Sequence, residues 1–194
     1  MALIQSLIRQ GVDVGEYLAA HGRVWTANYG AETTPIAFET AYDADQPDLN
    51  VDIPDGTVGI PLYFEVAPEA SGGAGFEAHL MISPVIVGAG TSTAITPVSS
   101  FLDATPHTVA GSARRTYTAN GTDPTAGSVW LMNVSVNQDI DATGITPKFV
   151  WNYRDETLHY IINGGSINAY MYNGTSGTGF ARITWAEVPE TWVV

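Results

Sequence analysis

The stretch that decides the fold is LHYIINGGSINAYMYNGTSGTGFARITWAEV, residues 158–188. It reads as three successive β-strands, at residues 158–162, 166–172 and 180–188. Asn163-Gly164-Gly165 separates the first two, and Asn173-Gly174-Thr175-Ser176-Gly177 separates the last two. Asn-Gly and Gly-Gly supply the positive φ angles that tight hairpin turns need. The last strand alternates strictly, with Phe180, Arg182, Thr184, Ala186 and Val188 opposing Ala181, Ile183, Trp185 and Glu187. Ile183 and Trp185 are expected in the core. Tyr170 and Tyr172 fall on one face, opposite Ala169 and Met171.

The same rhythm extends upstream. Strands are expected at residues 23–29, 35–40, 49–53, 58–67, 76–87, 107–119, 128–137 and 146–153. Pro54-Asp55-Gly56-Thr57 is a strong turn signal, and Pro61 inside a strand argues for an edge or a bulge. Residues 88–105, rich in small side chains, read as an irregular surface segment. In residues 128–137, Trp130, Met132, Val134 and Val136 share one nearly apolar face. About ten short strands, with no βαβ rhythm and no linker, specify one all-β domain, an antiparallel sandwich of jelly-roll type spanning residues 23–194. Residues 1–22 form a helical segment before it. Leu3, Ile4, Leu7 and Ile8 recur at helical spacing, Gly11 follows as a stop, and residues 14–21 form a second short helix ended by Gly22. This segment either packs on its own domain or serves as an arm that docks on a neighbouring subunit.

Composition narrows the partners. Twenty acids against seven bases give a net charge of −13, Lys148 is the sole lysine, and Arg114-Arg115 is the only adjacent basic pair. Nucleic-acid affinity comes mainly from basic side chains neutralising phosphates, so direct DNA or RNA binding is not expected. No stretch is apolar for long enough to span a bilayer, and the N-terminus lacks the features of a secretory signal. With no cysteine, nothing depends on disulfides.

Catalytic and cofactor signals are weak. His21, His79, His107 and His159 show no metal-ligand spacing, and no Gly-x-Ser-x-Gly elbow is present. Two acidic stretches are Ca²⁺ candidates, Asp43-x-Asp45-x-x-Asp48 and Asp139-x-Asp141-x-Thr143-Gly144. The second carries Val150 where a bidentate Glu belongs, and solvated turn acids account for both. No catalytic residue, metal ligand or cofactor is therefore assigned, and no enzyme activity is expected. Of the five tryptophans, Trp25, Trp130, Trp151, Trp185 and Trp192, core packing is the first reading, and a sugar-stacking platform the alternative.

Gly164-Gly165-Ser166-Ile167-Asn168-Ala169-Tyr170, the glycine-bearing turn through Gly179, Ile183-Thr184-Trp185-Ala186-Glu187, and the segment from Ile53 to Leu62 resemble jelly-roll virion proteins of tailed bacteriophages, namely the decoration (cement) and minor capsid proteins. The resemblance covers about a quarter of the chain by direct motif and implies no catalytic residues. It implies a virion protein on the capsid surface, made in the host cytoplasm, that assembles as a homotrimer and binds the major capsid protein. Leu3, Ile4, Leu7, Ile8, Tyr170, Tyr172 and Trp192 are the interface candidates. The alternatives are a carbohydrate- or receptor-binding module of fibre type and a single-jelly-roll shell protein.

Overall fold

The computed structural model describes residues 3–31, 33–70, 75–101, 107–119, 121–137, 147–156, 160–175 and 177–193. Two short helices, α1 (Leu3–Arg9) and α2 (Val14–Ala20), precede eleven strands. These are β1 (Val24–Tyr29), β2 (Ile36–Ala37), β3 (Leu49–Ala70), β4 (Phe76–Ser83), β5 (Thr91–Ile95), β6 (Val98–Ser99), β7 (Ser112–Ala119), β8 (Val129–Val136), β9 (Phe149–Asn152), β10 (Ile162–Tyr172) and β11 (Thr178–Pro189).

The long strand β3 organises them. Pro54-Asp55-Gly56-Thr57 does turn the chain, with Gly56 at φ +80°, but it makes a corner inside a continuous strand. Before the corner, residues 49–53 pair with β10 on one side and β7 on the other. After it, residues 57–70 pair with β11 and residues 63–66 with β9. One sheet therefore runs β1-β11-β3-β9 and the other β3-β10-β4-β8, all neighbours antiparallel. Short β6 extends the first sheet beyond β1, and the β5–β7 pair extends the second beyond β3. The chain crosses between the two sheets repeatedly, giving an antiparallel β-sandwich of jelly-roll type.

This arrangement corrects the reading of the closing stretch. Asn163-Gly164-Gly165 is not a hairpin turn. It is a bulge within β10, with Gly164 at φ +68° and Gly165 at φ +131°, and one residue there faces the four-residue corner of β3. A side chain on Gly165 would sit 2.1 Å from the Ser83 carbonyl oxygen, so only glycine fits. Nor do β10 and β11 form a hairpin, because β3 lies between them and they belong to opposite sheets. Pro61 marks a bulge, where Trp185 pairs with Pro61 and Thr184 with Tyr63. Residues 88–105 also carry more order than their composition suggests, since β5 and β6 lie within them. Strand β4 stops at Ser83, immediately before Pro84.

Between the sheets lies the main core. It includes Trp25 and Tyr29 from β1, Val51 and Phe64 from the two arms of β3, Leu80 from β4, Ile167 and Met171 from β10, and Ile183 and Trp185 from β11. A second core forms on the outer face of the first sheet. There Ile4, Leu7 and Leu18 of the helices cover Val24, Val58, Ile60, Leu62, Ala186 and Val188. Leu18 is completely buried, which is worth about 1.5–3 kcal/mol. Asp13 caps α2 by accepting the Glu16 amide at 2.8 Å, and Gly11 and Gly22 end the helices at positive φ. No described helix is long and apolar enough to cross a membrane.

Candidate functional site

The outer face of the second sheet is the chemically varied one. Toward the β3 end it carries Asn50, Asp52, Ser166 and Asn168, all buried beneath the segment 85–88. Asn50 donates to Asn168 at 2.9 Å and to Asp52 at 3.1 Å, and Asn168 donates to Ser166 at 2.8 Å. Asp52 accepts the amides of Val87 and Gly88 at 3.0 and 2.9 Å, and the Tyr117 hydroxyl donates to the Gly88 carbonyl at 2.8 Å. Burial pushes the Asp52 carboxyl above its usual range, and the Asn50 and amide hydrogen bonds partly offset this. Each of these groups has a protein partner, so the network works as a strap holding a loop on a sheet.

Toward the other end of β10 the strap gives way to rings. Tyr42, from the acidic loop after β2, lies 4.9 Å from Tyr170, 6.1 Å from Trp130, 6.1 Å from Tyr172 and 6.3 Å from His79, centroid to centroid. His79 in turn meets Trp130 edge-on at 5.4 Å. The floor of this cluster is buried, with Tyr170 at 1% and His79 at 7% exposure, whereas Trp130 is 44% and Tyr42 38% exposed. Strand geometry explains how Trp130 came to be here. Between β4 and β8 the register slips, with Leu80 opposite Met132 and Met81 opposite Trp130. Leu131 is the extra residue. The bulge leaves Leu131 and Met132 on the main core and turns Trp130 to the outside.

Polar groups edge the rings. The Tyr172 hydroxyl donates to Glu77 at 2.8 Å and sits 2.8 Å from His79 Nε2. Because the Tyr172 hydroxyl gives its proton to Glu77, His79 Nε2 is the donor in its contact with Tyr172, and burial lowers the His79 pKa. Burial first, and then Glu77, push the Tyr172 hydroxyl up to about 12. Tyr42 is likewise raised by burial and by the neighbouring charges of Asp123 and Asp43. Beside the cluster, Tyr42, Glu77, Tyr172, Asn173 and Gly75 line an open cleft of about 410 Å³.

The interface candidates from the sequence do not converge. Ile4 and Leu7 are buried in the second core and Leu3 packs against it, so these side chains are spent on their own domain, whereas Ile8 is 50% exposed. Trp192 is half-buried on the same core, with the Arg23 guanidinium 4.5 Å over its ring. Tyr170 has no surface to offer a neighbour, and Tyr172 is partly exposed. Asp48 does not join Asp43 and Asp45. It is buried, accepting the Met171 amide at 2.6 Å, while Asp43 accepts from Gln46. Among the described residues no three acidic or histidine side chains converge on a metal position. The second Ca²⁺ candidate, from Asp139 to Gly144, and His159 lie outside the described residues. Trp25, Trp151 and Trp185 are core residues as expected, and Trp130 is not. Compared with family models, with curated proteins and with solved structures, the chain has no significant match.

Proposed function

We propose that this jelly roll is a non-enzymatic virion structural protein, a capsid decoration protein that binds and reinforces the capsid lattice as an oligomer, most simply a trimer. The supporting observation is the open edge of the second sheet. Strand β8 ends the order β3-β10-β4-β8, and among the described residues no strand pairs with its far side. Its sequence, VWLMNVSV, contains no charge and no proline, and Val129 is 36% exposed. An eight-residue uncharged edge presents a row of unpaired backbone groups, and proteins that stay monomeric blunt such edges with lysine, proline or a covering segment. Next to it, Val129, Ile161 and Tyr160 line an open cleft beside the β10 bulge, which extends the apolar surface.

A partner strand along this edge satisfies the backbone row and covers the cleft. The net charge of −13 disfavours contact with nucleic acid, which suits a protein on the outside of a capsid. Binding at several lattice points at once then raises the free energy needed to open the shell, in proportion to occupancy. Light scattering and co-sedimentation with capsid shells test the reading. An oligomer that sediments with shells is the expected result, and a strict monomer that ignores them overturns it.

A further inference from the structure

We propose that the Tyr42–Trp130–Tyr172 cluster on the outer face of the second sheet is a binding site for a neutral hexopyranose oligosaccharide. The site is independent of the β8 edge, because the rings project from the sheet face whereas strand pairing occurs in the plane of the sheet.

The chemistry of the ligand follows from what stands next to what. A pyranose ring has a face of C–H groups and a rim of hydroxyls, so it needs an aromatic surface with hydrogen-bonding groups beside it. Trp130 and Tyr42 provide adjacent exposed ring surface, 44% and 38% open, with centroids 6.1 Å apart. Both rest on buried rings, Tyr170 and His79, so they are held in place before a ligand arrives and little side-chain freedom is lost on binding. The Glu77 carboxylate, its side chain 43% exposed, and the Tyr172 hydroxyl lie at the rim as acceptors for sugar hydroxyls. The adjoining cleft of about 410 Å³ falls in the range of small-ligand sites.

Charge removes the other candidates. Glu77 at the rim, with Asp43 and Asp123 acting on Tyr42, makes the surroundings negative, which repels sialylated, uronic or sulfated sugars. A quaternary ammonium group prefers a cage of rings around a void. Here the rings contact one another at 4.9–6.3 Å and leave none, so the surface suits stacking.

The test is calorimetric titration of the intact protein with neutral hexaoses of glucose, galactose, mannose and N-acetylglucosamine, with sialyllactose and a sulfated hexaose alongside. At least one neutral sugar should saturate a site, and the anionic sugars should not. Trp130→Ala and Tyr42→Ala should each weaken binding by about tenfold or more, while Trp130→Phe retains most of it. In the unsubstituted protein, NMR shifts caused by that sugar should gather at Tyr42, Glu77, His79, Trp130 and Tyr172, a readout that requires no variant to fold. Silence across the neutral panel, preferential binding of the anionic sugars, or shifts that fall elsewhere overturn the proposal. Because sugar binding is read on a single chain, its failure leaves the oligomer reading standing, and the reverse holds equally.

Discussion

Glu187 Oε1 accepts the indole N–H of Trp185 at 2.8 Å, from a position two residues further along the same strand. The same carboxylate takes the amides of Gly111 at 2.9 Å and Ala110 at 2.7 Å. One buried side chain thus fixes a fully buried tryptophan of the main core and ties down the loop that leads into β7. Asp52 does the same for the loop at Val87 and Gly88, and Asp48 for β10 at Met171. The buried carboxylates of this protein are loop anchors.

Removing such an anchor strands its donors. Glu187→Ala leaves the Gly111 amide and the Trp185 indole N–H buried without partners, at about 1–3 kcal/mol each, so a loss of at least about 2 kcal/mol is expected. Glu187→Gln keeps one acceptor and should fall between. Urea unfolding of the three proteins checks the order, and equal stability of the alanine variant would show that the loop finds other partners.

Acid should loosen the helices selectively. Asp13 accepts from Tyr153 at 2.5 Å and from Arg154 at 2.8 Å, and so clasps α2 to the turn after β9. Burial pushes its carboxyl up, but the hydrogen bonds to Tyr153, Arg154 and the Glu16 amide, with the Arg154 charge, prevail and hold the pKa at about 2. A carboxyl whose folded pKa lies below its unfolded value stabilises the fold above the unfolded value, and that contribution fades as pH falls toward the folded one. Asn caps a helix as well as Asp, so the deficit of Asp13→Asn reports the lost carboxylate charge beside Arg154, up to about 1 kcal/mol for a partly exposed ion pair; it should be full at neutral pH and shrink as pH drops from 3.8 toward about 2. Urea unfolding of both proteins across that range measures it, and a deficit independent of pH would rule out the charge as its source.

Tyr170 separates folding from assembly. Its hydroxyl donates to the Ala44 carbonyl at 2.8 Å and its ring lies under Tyr42. Tyr170→Ala should therefore cost about 3–5 kcal/mol of folding stability, as large buried aromatic truncations do. Tyr170→Phe, which loses only the hydrogen bond, should cost about 1 kcal/mol. This is the reverse of what a subunit seam at Tyr170 would give. A Tyr170→Ala protein that folds normally but fails to oligomerise would restore the seam.

The local chemistry of the chain was readable, and its long-range consequences were not. Alternation in 180–188 does place Ile183 and Trp185 in the core, and the apolar spacing of Ile4 and Leu7 does build a helix that buries them. Gly164 and Gly165 do adopt positive φ. Whether positive φ closes a hairpin or opens a bulge depends on the strand lying opposite, here the corner of β3, more than a hundred residues earlier in sequence. Trp130 departs from the face that simple alternation gives it for the same kind of reason. Counting by twos assumes an unbroken register, and the extra residue at Leu131 is visible only against Leu80 and Met81 of β4. The ring cluster joins the loop at Tyr42 with β4, β8 and β10, so no window of sequence contains it.

The β8 edge gives the sharpest test of assembly. A single lysine on an exposed edge strand discourages pairing, because adding a strand beside it would desolvate the ammonium group. Val129 is suitable, being 36% exposed and one of the residues lining the cleft beside the β10 bulge. Val129→Lys should change folding stability by no more than about 0.5 kcal/mol, the usual range for surface positions. If the edge is the subunit contact, the same substitution should shift the light-scattering mass to that of one chain and abolish shell binding, since multipoint attachment needs the oligomer. An unchanged oligomer in Val129→Lys would move the contact elsewhere on the surface. Trp130→Ala lies on the neighbouring residue but presents its ring to the sheet face. It should leave the oligomer intact and reduce sugar binding, so the pair distinguishes an edge that assembles the protein from a face that recognises a ligand.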